Sequence, residues 1–297
     1  MRLLVTGARG MLGHDVVRVF LEHGHEVQAT DITSQDHKLD ITNDEDIRNA
    51  LLSARPDWVL NCAAYTNVDA CEDHEADALL LNAEAPSRLA RACKEHSVRL
   101  LHVSTDYVFD GTRETPYVEH DVPNPVNAYG RSKLEGEIAV TGQMDDFIIV
   151  RSQWLFGLHG RNFVSTIIRA AQNTPVLRVV NDQYGSPTYT RDLASAMRQL
   201  VELDARGIYH VCNRGTATWF ELAKKSLELM ELDNEVVPVT TAEFPRPAKR
   251  PSYAVLSMKK FTETTGKLMP IWPVSLKEYV QEFLLEERSR KHENDRK

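Results

Sequence analysis

The chain has 297 residues, enough for one large domain with an added lobe or for two modest domains. Its 35 basic and 43 acidic residues give a formal net charge of −8 with no dense Lys/Arg stripe before the tail, which excludes an ordinary nucleic-acid-binding surface. No run approaches the roughly 18 apolar residues of a membrane span, and Cys62, Cys71, Cys93 and Cys212 lack C-x-x-C spacing. The composition therefore predicts a cytoplasmic protein with reduced thiols, no disulfide framework, no zinc site and no membrane partner.

In chain order, short apolar runs alternate with helix-length segments. Arg2–Thr6 reads as a strand, followed by a glycine-rich turn and a helix from Met11 to about Glu22. Further strands are expected at Glu26–Thr30, Asp57–Asn61, Arg99–Ser104 and Asp146–Arg151, with helices at about 44–54, 75–95 and 127–140. Continuous apolar strands of this kind fill a parallel sheet covered on both faces, so the pattern predicts an α/β, doubly wound, Rossmann-type sheet. Residues 1–155 would form the dinucleotide-binding domain and 156–297 mainly a smaller, less regular substrate lobe. Segments within about 176–212 are expected to return to the main sheet, notably a strand at 207–212. The Trp219-Phe220 pair opening a helix near 218–230 reads as lobe packing, and the polar stretch from Arg288 to Lys297 as frayed.

Gly7-Ala-Arg-Gly10-Met-Leu-Gly13 stands between the first strand and first helix. Glycines there permit a tight turn and close approach of a pyrophosphate, which the free N–H groups and dipole of the helix terminus favour. Asp31 closes the second strand, where a carboxylate can accept bonds from adenosine ribose hydroxyls. Such an acid favours NADH, whereas Arg9 and Lys38 can offset it toward NADPH, so both cofactors stay open. Asp40-Ile41 fits either an adenine contact or a solvated turn. Ala63 and Ala64, after the third strand, leave room for a cofactor or simply allow close packing.

Tyr129 and Lys133 stand at i and i+4, on one face of a helix. A lysine charge favours the phenolate of a nearby tyrosine and makes the pair a usable acid or base. Thr105, just past the fourth strand, can bond a carbonyl oxygen. The three together make a ketone-reduction site: a nicotinamide gives hydride, Thr105 polarises the oxygen, Tyr129 protonates it, and Lys133 tunes Tyr129 while bonding ribose hydroxyls. His23-Gly-His25 lacks a third ligand and reads as a surface turn rather than a metal site.

The glycine loop, Val103-Ser-Thr-Asp-Tyr-Val-Phe-Asp-Gly111, Asn127-Ala-Tyr-Gly-Arg-Ser-Lys-Leu-Glu-Gly136 and Asp182-Gln-Tyr-Gly-Ser-Pro-Thr188 resemble the extended short-chain dehydrogenase/reductase family over nearly the whole chain. The resemblance implies NAD(P)H-dependent reduction of the C4 ketone of dTDP-4-dehydro-β-L-rhamnose to dTDP-L-rhamnose by a monomer or homodimer. It assigns Thr105, Tyr129 and Lys133 to catalysis, and Gly10, Met11, Leu12, Asp31, Asp40, Ile41, Ala63, Ala64 and Tyr65 to the dinucleotide. It also assigns Asp106 and Trp154 to the sugar, although Trp154 reads equally as a core aromatic. The chain departs from the family phrase at Arg250-Pro-Ser-Tyr-Ala-Val-Leu256, where Tyr253-Ala254 replaces an Asn-Ser pair, which weakens exact substrate identity. Asp15 stands where some members carry a glutamate that shares magnesium, and no required metal is expected. Other 4-ketosugar reductases or epimerases share such a site. A dehydratase would add an acidic pair beside the threonine, whereas Tyr107 follows Asp106 here. Regulatory relatives resembling the beta subunit of methionine adenosyltransferase form a further class, but the intact Thr105, Tyr129 and Lys133 favour an enzyme.

Overall fold

The computed structural model describes residues 1–294, with side chains described through Glu287. The first half runs β1 (Arg2–Thr6), α1 (Met11–Glu22), β2 (Glu26–Ala29), α2 (Asp44–Ala54), β3 (Trp58–Asn61), α3 (Ala70–Asp73), α4 (Glu75–Leu79), α5 (Ala85–Glu95), β4 (Arg99–Thr105), α6 (Ala128–Gln143) and β5 (Phe147–Ser152). The second half follows with β6 (Leu155–Phe156), α7 (Phe163–Ala171), β7 (Val176–Val180), β8 (Tyr184–Gly185), β9 (Thr188–Tyr189), α8 (Thr190–Glu202) and β10 (Gly207–His210). Last come β11 (Ala217–Thr218), α9 (Trp219–Leu229), β12 (Glu235–Val239), α10 (Lys259–Thr265) and α11 (Trp272–Asn294).

Six strands in the order β10-β5-β4-β3-β1-β2 form one parallel sheet, with its topological switch point between β1 and β3. Ligands of open α/β sheets bind at the carboxyl edge there. One face is sealed by α1 and α8, whose Val16, Phe20, Leu193 and Met197 join Leu3, Val5 and Ile148 in a common core. The other face packs Ile47, Leu51, Leu89 and Val140, from α2, α5 and α6, against Leu4, Val59 and Ile149. Both faces are apolar because every strand between the edges is buried on both sides.

Of the stretch 176–212, α8 and β10 join the main sheet, whereas β7 pairs with β12 in the lobe. The lobe has its own core of Phe156, Val164, Ile168, Leu222 and Tyr279. Side-chain capping boxes start two of its helices, Asn162 with Ser165 for α7 and Thr218 with Glu221 for α9. The stretch from Arg288, expected to fray, is helical in backbone to Asn294; residues 295–297 lie outside the described residues. No helix among the described residues is long and apolar enough to cross a membrane.

The helix expected at 75–95 is interrupted by a π-helical turn at Leu80–Glu84. The turn rotates Asn82 inward, where its side chain accepts a bond from the Tyr65 backbone N–H at 2.9 Å and donates to the Tyr65 carbonyl and Ser132 Oγ, each at 3.0 Å. π-Turns of this sort commonly mark functional sites.

A second buried network joins α6 to the sheet. Arg151 donates to Glu137 Oε1 at 2.9 Å and Oε2 at 2.6 Å, and Ser104 Oγ donates to Glu137 Oε1 at 2.5 Å. Both charged side chains are nearly inaccessible, at 2% and 3% exposure. Removing one partner strands the other charge in a medium that solvates it poorly. Glu137→Leu is therefore expected to lower unfolding free energy by about 3–5 kcal/mol in urea titration. The double variant Glu137→Leu, Arg151→Met should recover part of that loss.

Candidate active site

A cavity of about 870 Å³ opens at the carboxyl edge of the sheet and runs from the glycine loop to the lobe. Gly7, Gly10, Met11, Leu12, Gly13, Asp31, Asp40, Ile41, Ala63 and Ala64 line it at one end, and Thr105, Asp106, Tyr129, Lys133 and Trp154 at the other. Sequence positions more than a hundred residues apart thus converge on one wall.

The glycine end fits a dinucleotide. Gly7 has φ +64, and a Cβ there would stand 2.7 Å from the Ala63 backbone, so only glycine lets the first loop meet the loop after β3. A Cβ on Gly13 would lie 2.1 Å from the Gly7 carbonyl. Gly10 caps α1 without a side-chain hydrogen bond, and the first turn carries no acid, which leaves its N–H groups free for an anion. Asp31 accepts from the Arg9 backbone N–H at 3.1 Å and from Thr33 N–H at 2.9 Å and Oγ1 at 2.7 Å. Burial pushes its carboxyl up, but these bonds outweigh it and hold the group below the usual carboxylate range. Asp40 is oriented in the same way by Thr42, at 2.9 Å from N–H and 2.7 Å from Oγ1.

Tyr65 is the exception among the expected cofactor residues. It lies outside the cavity lining; its backbone is pinned to Asn82 and its half-buried ring packs against the cluster of Cys71, Ala78 and Ala128.

At the other end the polar groups are buried. Lys133 is 2% exposed and donates to the Val103 carbonyl at 2.6 Å, with His102 Nε2 at 3.4 Å behind it. Burial lowers its ammonium to about 8. His102 is itself held by Asn61, whose side-chain carbonyl accepts from Thr6 Oγ1 at 2.7 Å. Burial, with the Asp106 charge adding to it, raises the Tyr129 phenol well above its ordinary value, although the neighbouring Thr105 hydroxyl opposes the shift. Thr105 Oγ1 donates to Asp106 Oδ1 at 2.9 Å, and burial raises Asp106 to about 7. Such poised groups in one cleft mark a site for proton transfer.

Trp154 adopts φ +49, uncommon for a bulky residue, and stacks on Trp219 at 3.5 Å and 9°. Trp219 lines the cavity as well, held by a bond from Nε1 to Gln183 Oε1 at 3.0 Å. Trp219 packs against the lobe core as expected, and sequence distance concealed only its approach to Trp154. Phe220 does pack into the lobe.

The remaining candidates lie elsewhere. His23 bonds the Val19 carbonyl at 2.8 Å and His25 bonds Glu202 at 3.0 Å. Asp15 is buried on α1 and accepts a hydrogen bond from Thr190 Oγ1. Among the described residues no group of three or more His, Cys, Asp or Glu side chains is arranged to hold a metal, and all four cysteines are free.

Sequence reading missed Asn61, Asn82, His102, Glu137 and Arg151, which hold the lining residues in place. Asn61 and Glu137 carried a signal, standing at a strand end and one turn beyond Lys133. The π-turn that aims Asn82 leaves no trace in residue spacing.

A parallel sheet with a glycine loop at its switch point and a tyrosine and lysine one helical turn apart is the architecture of an extended short-chain dehydrogenase/reductase. The model of the RmlD substrate binding domain family matches residues 1–285, and the chain belongs to that family. It is 42% identical over 290 residues to the "Probable dTDP-4,6-dihydroxy-2-methyloxan-3-one 4-ketoreductase" of Streptomyces antibioticus, covering 97% of both chains. It is also 42% identical over 279 residues to the dTDP-4-keto-6-deoxy-D-glucose reductase of Streptomyces niveus, covering 93% of this chain and 95% of that one. The solved structure of dTDP-4-dehydrorhamnose reductase from Bacillus anthracis in complex with NADP superposes with a TM-score of 0.91 at 36% identity, covering 95% of this chain and 99% of that one.

Proposed function

We propose that the chain reduces the C4 ketone of dTDP-4-dehydro-β-L-rhamnose to dTDP-L-rhamnose in the cytoplasm, using NADPH or NADH and no required metal. The observation that carries this reading is the meeting of Thr105, Tyr129 and Lys133 on one cavity wall, continuous with the glycine loop. Relatives named as reductases of dTDP-linked ketosugars supply the substrate class.

Gly7 to Gly13, Asp31, Asp40, Ile41, Ala63 and Ala64 would hold NADPH or NADH, which when bound would supply the hydride. The Arg9 guanidinium donates to the Thr33 carbonyl at 3.0 Å, and its remaining N–H groups could meet a 2′-phosphate, which supports NADPH beside NADH. Thr105 Oγ1 turns from Asp106 to the ketone oxygen. Tyr129 gives its phenolic proton to that oxygen, and its burial keeps the proton in place until charge develops there. Lys133 keeps one proton on the Val103 carbonyl, turns another to the ribose hydroxyls, and steadies the tyrosinate with its charge. Trp154, backed by Trp219, covers the apolar face of the sugar. Residues 1–155, with α8 and β10, hold the dinucleotide and the proton donor, while most of 156–297 frames the sugar nucleotide.

Substrate generated in situ from dTDP-glucose by the preceding dehydratase and epimerase should support oxidation of NADPH or NADH. Tyr129→Phe is expected to lower kcat by about 10²–10⁴-fold, the usual contribution of a positioned acid, with NADPH affinity retained. No oxidation with either cofactor, despite tight dinucleotide binding, would refute the assignment.

Lys133 is charged below about 8 and neutral above it, because burial disfavours the ammonium. kcat/KM is expected to fall as pH rises through that value, and Lys133→Met should show low activity without this limb.

A further inference from the structure

Three buried polar atoms without a hydrogen-bond partner belong to residues of the same cavity: Asp106 Oδ2, Ser152 Oγ and Gln153 Oε1. Their residues are 2%, 3% and 2% exposed. An unpaired polar atom at such depth is costly, and in native proteins it ordinarily meets a ligand or water.

Their placement identifies the ligand's side. Thr105 and Ser152 are in register across β4 and β5, so Asp106 and Gln153 follow from adjacent strand ends. Gln153 leans toward the lobe: its Nε2 reaches Cys212 Sγ at 3.7 Å, and its Oε1 stands 2.9 Å from where a Cβ on Gly185 would lie. The same hypothetical Cβ would meet the Trp154 indole at 2.5 Å, so amide and indole are neighbours. The glycine loop and Asp31 lie at the other side of the sheet, around β1 and β2. An indole beside an edge of free acceptors matches a pyranose ring, which has an apolar face and a rim of hydroxyls. Asp106, raised to about 7 by burial, can act as donor or acceptor near neutrality.

We propose that Gln153, assisted by Ser152 and Asp106, bonds the C2 and C3 hydroxyls of the sugar ring and so selects a 2-hydroxylated ketosugar over its 2-deoxy counterpart. The proposal rests on the ketosugar-reductase reading and deepens it. A site built to bond a hydroxyl rejects the analogue lacking it because its own buried groups are then left unpaired. Both ring classes share the ketone, so Thr105 and Tyr129 cannot distinguish them.

The test compares the full chain with Gln153→Leu and Ser152→Ala. Steady-state rates are measured with dTDP-4-dehydro-β-L-rhamnose and its 2-deoxy counterpart, and calorimetry with NADP⁺ present gives the affinities of the two reduced sugars. NADPH affinity is followed by fluorescence. The wild type should prefer the hydroxylated substrate by about 10²-fold or more in kcat/KM, and Gln153→Leu should reduce that preference to about tenfold or less. The loss should fall on the hydroxylated sugar, with NADPH affinity within about twofold of wild type. Equal handling of the two sugars by the wild type would overturn the proposal, as would a Gln153→Leu variant that weakens both sugars alike or loses only NADPH. If Gln153→Leu does not fold, the wild-type comparison and Ser152→Ala decide by the same criteria. Discrimination in sugar binding without turnover of either ketone would support the hydroxyl contact while removing the reductase reading; absence of sugar binding would remove both.

Discussion

The buried pair between Glu137 and Arg151 ties together the parts that must meet at the cavity. Glu137 lies two turns beyond Tyr129 and one beyond Lys133 on α6, while Arg151 lies on β5 immediately before Ser152. Ser104 bonds the same carboxylate from β4, one residue before Thr105. Arg151 also lies over the Phe109 ring at 5.1 Å, with Nη1 3.4 Å from His210 Nε2 on β10. A helix and three strands are thus referenced to one carboxylate and one guanidinium. A buried ion pair is weak evidence for stability on its own, because desolvation opposes its attraction. Its value here is geometric: small displacements of α6 would carry the phenol away from Thr105.

The same burial that makes this network rigid sets the charge state of the cavity. Removal from water keeps the Tyr129 proton on, brings Asp106 up to about 7 and brings Lys133 down to about 8. Groups of opposite ordinary preference are thereby brought close to neutral pH. At the dinucleotide end the balance reverses, since bonds from Thr33 and the Arg9 N–H keep Asp31 ionised. One continuous cavity therefore joins an ionic, hydrogen-bonded half to a half whose buried groups are suited to proton transfer.

The sheet was legible because its strands are apolar runs between turn signals, and β1 to β5 fall within a residue or so of their expected places. The glycine loop and the Tyr129–Lys133 spacing were legible because each follows a local rule of backbone or helix geometry. What escaped depends on contacts between distant segments. Asn82 needs a π-turn to reach Tyr65, Trp219 meets Trp154 only after the lobe folds back, and Gln153 acquires its free carbonyl from packing beside Gly185.

The central claim is that this cavity passes hydride to the C4 carbon of a dTDP-linked ketosugar. The direct measurement uses NADPH deuterated in turn on each face of its nicotinamide C4, with the product read by NMR. The account predicts deuterium at C4 of the sugar from one face only and none from the other. Deuterium at another carbon, or a product whose C4 hydrogen comes from solvent, would contradict it.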